Sequence, residues 1–199
     1  REVEVAQRVR HPYMIDIYGY GEVDGFAYLA MEYMPGGSLA ERFADPIYLT
    51  LDEAAHTLDV IASALDFAHG EGVLHRDLKL SNVLVAADGR LILSDFGLAL
   101  MQDETRITTT GQTFGTPIYM SPEQVNGVRT IDHRADVYSF GVIAYLLATG
   151  YFPFFAHNTL MVLNQHLMDK PPLPSKLNPR LPTTIDAVLL KGLSKRPDD

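Results

Sequence analysis

Apolar and polar positions follow two rhythms along this chain, and the change between them divides it. Near the start, MIDIYGY (14–20) and FAYLAMEY (26–33) are short apolar runs with the turn-prone E-V-D-G between them, so two strands are predicted. Ahead of them REVEVAQRVRHP reads as the end of an amphipathic helix, stopped near His11 and Pro12. Pro35-Gly36-Gly37 then breaks the pattern, and a short helix is expected from Ser38 to about Ala44. At Thr50 the period lengthens. The spacing of Thr50 to Glu53 matches a capping box, and Leu58, Ile61, Leu65 and Ala68 recur at helical spacing up to a stop at Gly70 and Gly72. VLVAA and RLILSD, around Asp88-Gly89, predict two more short strands. Helices are predicted over about 134–149, 158–168 and 183–194, with proline-rich connections between them. No internal repeat is visible. A little sheet followed mostly by helix points to an α+β chain with a helical main body.

Composition narrows the function classes. With 199 residues the chain can build one sizeable core or two small ones. A formal charge of -9 disfavours nucleic acid and anionic membrane surfaces as primary partners. The absence of cysteine excludes a disulfide scaffold and any thiolate metal site. The most apolar stretch, DVYSFGVIAYLLATG at 136–150, falls short of the roughly 20 residues that span a bilayer and reads as a buried helix. No targeting segment is visible, and the chain reads as a fragment cut at both ends.

The candidate chemistry lies at 74–85, LHRDLKLSNVLV, where His75, Arg76, Asp77, Lys79 and Asn82 sit between two apolar runs. Apolar residues pinning both ends make a loop rigid, as reactive groups require. Thirteen residues beyond Asn82 comes Asp95-Phe96-Gly97, after a predicted strand. Gly115-Thr116-Pro117, Ser121-Pro122-Glu123 and a helix-borne Asp136 follow. Any one of these is a weak signal. As an ordered set they resemble the protein kinase family, over essentially the whole chain.

That resemblance implies a protein kinase-like fold. Residues 1–34 would be a partial N-lobe holding the family's helix C, its fourth and fifth strands and the hinge. Residues 35–199 would be the C-lobe, with catalytic loop, activation segment and helices to near the domain end. Phosphoryl transfer asks for positioning and charge neutralisation more than covalent help. Asn82 and Asp95 offer hard oxygen ligands suited to Mg²⁺. Asp77 can accept the substrate hydroxyl's proton, and Lys79 can offset charge on the transferring phosphate. A lysine at 79 and the G-T-P-I-Y-M-S-P-E run resemble the Ser/Thr class, with Thr116 bridging Asp77 and Lys79. SPEQ and the 136–150 stretch resemble bacterial-type enzymes. By the same resemblance His75 and Phe96 stack in an internal hydrophobic column, and Asp136 bonds the catalytic-loop backbone. Glu123 would pair with an arginine that would fall one position after Asp199.

The MEYMPGGS segment (31–38) resembles the hinge between lobes. Backbone groups of Glu32 and Met34 would then meet the adenine edge of ATP, Met31 would guard the back pocket, Ser38 would approach the ribose and Leu84 would underlie the ring. Glu2 falls where the family's helix glutamate pairs with a strand lysine. That lysine and the Gly-rich loop are not in this sequence, so a chain of these residues alone is expected to bind ATP poorly. Thr108 and Thr110 match activation-segment positions phosphorylated in similar bacterial kinases, with Thr109 and Thr113 close behind, and Arg76 would meet such a phosphate. The expected partners are proteins bearing Ser or Thr. The expected location is the cytoplasm, with no membrane contact by this segment, though the full-length protein could carry a membrane anchor. Two other readings stand beside the enzyme. One is a pseudokinase-like scaffold, which would not need Asn82 and Asp95. The other is a small-molecule phosphotransferase, which would not need residues 115–123 to present a peptide.

Overall fold

Asp24 and Gly25, at φ 53° and 80°, close a hairpin between β1 (Ile17–Val23) and β2 (Phe26–Met31). Two successive left-handed residues give the turn that matches the twist of the flanking strands, and Asp-Gly enters it with little strain. The structure, a computed structural model, describes residues 10–42, 49–96, 117–128 and 130–199. Its first strand departs from the sequence reading of 14–20. A two-residue turn leaves Glu22 and Val23 inside the ladder, opposite Ala27 and Phe26, so β1 runs three residues further.

Residues 13–15 serve a second sheet instead. This is β3 (Val83–Val85) paired antiparallel with β4 (Leu91–Leu93). The Ile15 N–H donates to the Leu93 carbonyl (3.0 Å) and the Leu93 N–H to that of Tyr13 (2.8 Å). Ile15, Met34, Ala86 and Ile92 form a small apolar cluster behind this junction.

The helices follow. α1 (Leu39–Arg42) is a single turn, and α2 (Leu51–Gly70) starts where the capping box places it. Thr50 Oγ1 accepts the Glu53 N–H (3.2 Å), and the Glu53 carboxylate accepts the Thr50 N–H (2.8 Å). The buried stripe is wider than the apolar spacing alone suggests. It comprises Ala54, Thr57, Val60, Ile61, Ala64, Leu65 and Ala68, with Leu58 at its half-buried edge. After α3 (Pro122–Val125) comes α4 (Arg134–Thr149), buried nearly all round. A Cβ on Gly141 of α4 would lie 2.8 Å from the Gly192 carbonyl oxygen, so glycine at 141 lets these two backbones meet. α5 (Thr159–Met168), α6 (Pro174–Leu177) and α7 (Thr184–Gly192) complete the order. α6 lies inside a connection predicted to be irregular. Pro174 opens it, at a position where the missing N–H has no intrahelical partner to lose. The main core joins α2, α4 and the second sheet through Ile61, Leu65, Leu78, Val83, Leu93, Ile143 and Leu146. Among the described residues no helix is long and apolar enough to cross a membrane.

One buried histidine in this body has a measurable consequence. His166 of α5 is fully buried, with Nδ1 2.9 Å from the Tyr138 hydroxyl and its ring edge-on to Phe154. Lys195 caps the same helix end, its ammonium donating to the carbonyls of Gln165 (2.9 Å) and His166 (2.7 Å) above the Phe154 ring. Burial, then the Lys195 charge, push the His166 pKa down to about 4. A pKa depressed on folding stabilises the fold fully above the unfolded value of 6.5, and that stability is withdrawn as pH falls towards 4. The shift corresponds to about 3 kcal/mol. His166→Gln is therefore expected to flatten the pH dependence of urea unfolding between 6.5 and 4 by that order. Parallel curves for the two proteins would refute it.

Candidate active site

The loop from His75 to Asn82 is fixed from beneath by Asp136, which is 1 % exposed on the first turn of α4. Its Oδ1 accepts the Arg76 N–H (2.7 Å), and its Oδ2 accepts the His75 N–H and the His69 Nε2–H, both at 2.8 Å. Burial alone would raise this carboxyl's pKa. The His69 bond, the influence of His75 and the two backbone bonds outweigh it and hold the pKa below the usual value. His75 is itself fully buried. Its Nε2–H donates to the Ser94 carbonyl (2.9 Å) and its Nδ1 accepts the Asp77 N–H (3.4 Å), an arrangement that requires the neutral ring. Burial lowers its pKa in the same sense, against the charges of Asp136 and Asp77. Phe96 lies against it, ring centroids 4.8 Å apart.

On this base the polar side chains converge. Lys79 Nζ donates to Asp77 Oδ2 at 2.6 Å, and the Asp77 side chain is 39 % exposed, open to a partner from solvent. A 3₁₀ turn (Leu80–Asn82) brings Asn82 round, where its Nδ2 donates to the Asp77 carbonyl (2.9 Å). That bond commits the amide nitrogen and leaves Oδ1 as the group to offer a ligand. The Asn82 carbonyl in turn accepts both the N–H (2.8 Å) and the hydroxyl (3.0 Å) of Ser94, which joins the loop to the segment carrying Asp95.

Arg76 and Asp95 both adopt left-handed backbone, at φ 66° and 65°. Non-glycine residues hold such conformations only where their surroundings impose them, and they concentrate at functional sites. Asp95 is also electrostatically unsettled. Burial raises its pKa and the Asp77 charge adds to this, while the Lys79 charge pulls the other way without prevailing. A hard divalent cation would reverse that balance. One amide oxygen and one carboxylate suit Mg²⁺, which draws its remaining ligands from phosphate and water. The donor set fits the ion.

The residues expected near a nucleotide also gather. Met31, Met34 and Leu84 share the small cluster behind the second sheet, and Ser38 bridges Leu84 across a short antiparallel contact. The Glu32 N–H donates to the Asp16 carbonyl (2.9 Å), so its own carbonyl is the backbone group left to face a ligand. Ser38 Oγ accepts the Glu41 N–H (3.3 Å), a bond that uses its oxygen and not its proton. Glu123 stands in the first turn of α3, where its charge reinforces the burial that raises the Tyr138 pKa. Glu2, Gly97, Thr108, Thr110 and Thr116 lie outside the described residues, as do Thr109 and Thr113.

Sequence reasoning missed His69, Ser94 and Gln124. The last donates from Nε2 to the Arg76 carbonyl at 2.6 Å. Only Gln124 carried a local signal, since S-P-E-Q has capping-box spacing.

Comparison with known proteins agrees with this geometry. A family model described as protein kinase domain matches residues 1–198. The serine/threonine-protein kinase PknH of Mycobacterium tuberculosis is 37% identical over 202 residues, covering 100% of this chain and 32% of its own length. The serine/threonine-protein kinase pkn3 of Myxococcus xanthus is 37% identical over 210 residues, covering 100% and 38%. The probable serine/threonine-protein kinase PknB of Lactococcus lactis is 34% identical over 195 residues, covering 98% and 31%. The chain thus spans about a third of the length of the curated relatives it matches. An ordered set of motifs, an α+β fold with a helical body and a match along almost the entire sequence lead to one conclusion: the chain belongs to the protein kinase domain family.

Proposed function

We propose that this chain is the catalytic part of a protein serine/threonine kinase that transfers the γ-phosphate of ATP to Ser and Thr hydroxyls, with Mg²⁺. The observation that carries the reading is the 2.6 Å Lys79–Asp77 pair on a loop whose backbone is tied to Asp136. A scaffold has no use for a partly exposed carboxylate held to this geometry.

In this reading Asp77 accepts a hydrogen bond from the substrate hydroxyl, orients it and takes its proton as the oxygen becomes bonded to phosphorus. Lys79 places positive charge where the transferring group gathers negative charge. Asn82 and Asp95 would hold Mg²⁺, which when bound neutralises phosphate charge. Glu32, Met34, Ser38 and Leu84 would receive the adenosine, with Met31 behind it. Residues 1–34 form part of the small lobe and 35–199 the large one. Glu2 is assigned to the phosphate-gripping ion pair. His75, Phe96 and Gly97 support the metal-binding segment, Thr116 bridges Asp77 and Lys79, and Glu123 belongs to the segment that presents the peptide. Phosphate on Thr108 or Thr110, met by Arg76, would regulate the kinase. The reaction is placed in the cytoplasm, on protein substrates, with no membrane contact by this part of the protein.

The test is incubation of the full-length protein with Mg-ATP and a basic carrier protein, with phosphosites mapped by mass spectrometry. Phosphate on Ser or Thr that disappears when EDTA removes the metal is the expected result. ATP-dependent thermal stabilisation with no phosphate on any hydroxyl would replace the enzyme with a nucleotide-binding scaffold.

A further inference from the structure

Arg76, immediately before Asp77, is left-handed at φ 66°, and both of its backbone polar groups are held by side chains from distant elements. Its N–H donates to Asp136 of α4, 60 residues away, at 2.7 Å. Its carbonyl accepts from Gln124 Nε2 of α3, 48 residues away, at 2.6 Å. A strained residue persists where its surroundings over-determine it, and here two independent hydrogen bonds grip the two sides of one residue. The carbonyl that Gln124 holds belongs to the peptide unit that ends in the Asp77 N–H, the same N–H that donates to His75 Nδ1.

The Gln124 amide cannot be turned round without loss. Its Oε1 accepts the Ser121 N–H (3.0 Å), and Ser121 Oγ accepts the Gln124 N–H (3.4 Å). Ser121 is fully buried, so this reciprocal cap fixes the amide with oxygen towards residue 121 and nitrogen towards the loop. One side chain therefore does two separable things: it caps α3 and it clamps the loop.

We propose that Gln124 is a positioning residue for phosphotransfer, coupling the 117–125 segment to the backbone that carries Asp77. The clamp makes the catalytic carboxylate's placement depend on the docking of that segment. This inference rests on the reading of Asp77 as the residue that orients the substrate hydroxyl.

The cap and the clamp come apart in two variants. Gln124→Glu keeps an oxygen for the Ser121 N–H, and glutamate is equally at home in a capping box, but it turns a second acceptor towards the Arg76 carbonyl. Ser121→Ala removes the hydroxyl half of the cap, the acceptor of the Gln124 N–H, and keeps the Ser121 N–H that orients the amide towards Arg76. In the full-length protein, Gln124→Glu is expected to lower kcat on the order of tenfold or more, with the KM for ATP within about twofold. Ser121→Ala is expected to lower the Tm with kcat largely kept. Gln124→Asn, whose amide is one methylene too short to span both partners, should repeat the kcat loss if the glutamate variant does not fold. Unchanged kcat in the Gln124 variants overturns the inference, and so does an equal kcat loss in Ser121→Ala, which would make the effect one of helix fraying. Asp77→Asn, assayed alongside, separates the two levels. Full activity there brings down the reading of the site itself, whereas an inactive Asp77→Asn beside a normal Gln124→Glu brings down only the clamp.

Discussion

Asp77→Asn is expected to lower kcat by about 10²- to 10⁴-fold while the protein stays folded. Asparagine matches the shape of aspartate, so the loop bonds made by the backbone of residue 77, to His75 Nδ1 and from Asn82 Nδ2, remain available. What goes is the negative charge that, in the proposed reaction, accepts the substrate's proton. The lost ion pair with Lys79 is partly exposed on both sides and is worth about 0–1 kcal/mol, too little to unfold the domain. Asn82 and Asp95, with their backbone supports, are untouched, so the KM for ATP should move little. Single-turnover kinetics beside thermal unfolding read both halves of the expectation. A kcat within a factor of ten of the parent would remove Asp77 from the reaction.

The parts of this molecule that were legible in the sequence are those fixed by short-range chemistry. Thr50 and Glu53 announce the start of α2 because a capping box closes within four residues, and the structure shows both of its bonds. The first hairpin was legible in kind but not in extent. Glu22 and Val23 look like turn residues until Asp24 and Gly25 are seen to make the turn alone. α6 was hidden because a four-residue helix opened by proline has the composition of a loop.

At the site, Asp77, Lys79, Asn82 and Asp95 stood out through their order along the chain, which resembles that of the protein kinase family. Asp136, His75 and Phe96 were legible through the same resemblance, but other supports were not. Ser94 and His69 act through contacts with residues 12 and 67 positions away, and no local pattern marks a serine before an aspartate or a histidine at a helix end. The left-handed backbone of Arg76 was equally invisible, because arginine carries no preference for it. A site of this kind is written in two scripts. The reacting groups are sequential, while the groups that aim them are brought in by the fold.

Asp136→Asn tests that division where the effect on the fold should be largest. Two carboxylate oxygens accept three hydrogen bonds in a position 1 % exposed. An amide supplies one oxygen and one NH₂. Whichever way it turns, its nitrogen faces a backbone N–H of Arg76 or His75, donor against donor, at a position buried from bulk solvent. Leaving a buried donor unsatisfied and removing charge-assisted bonds together are expected to cost about 3 kcal/mol in urea unfolding. The kinetic loss should accompany it, because the same bonds hold the residues on which Asp77 is mounted. Proton linkage gives an independent check. The Asp136 pKa is held below the ordinary 3.8, so its contribution is complete above that value and is lost only as pH falls beneath it. The stability difference between parent and variant should therefore stay constant from pH 7 to about 5 and narrow only under stronger acid. A gap that already closed between pH 7 and 5 would assign the effect to the histidines beside it. A variant of parental stability and parental kcat would mean the loop holds its shape without the carboxylate.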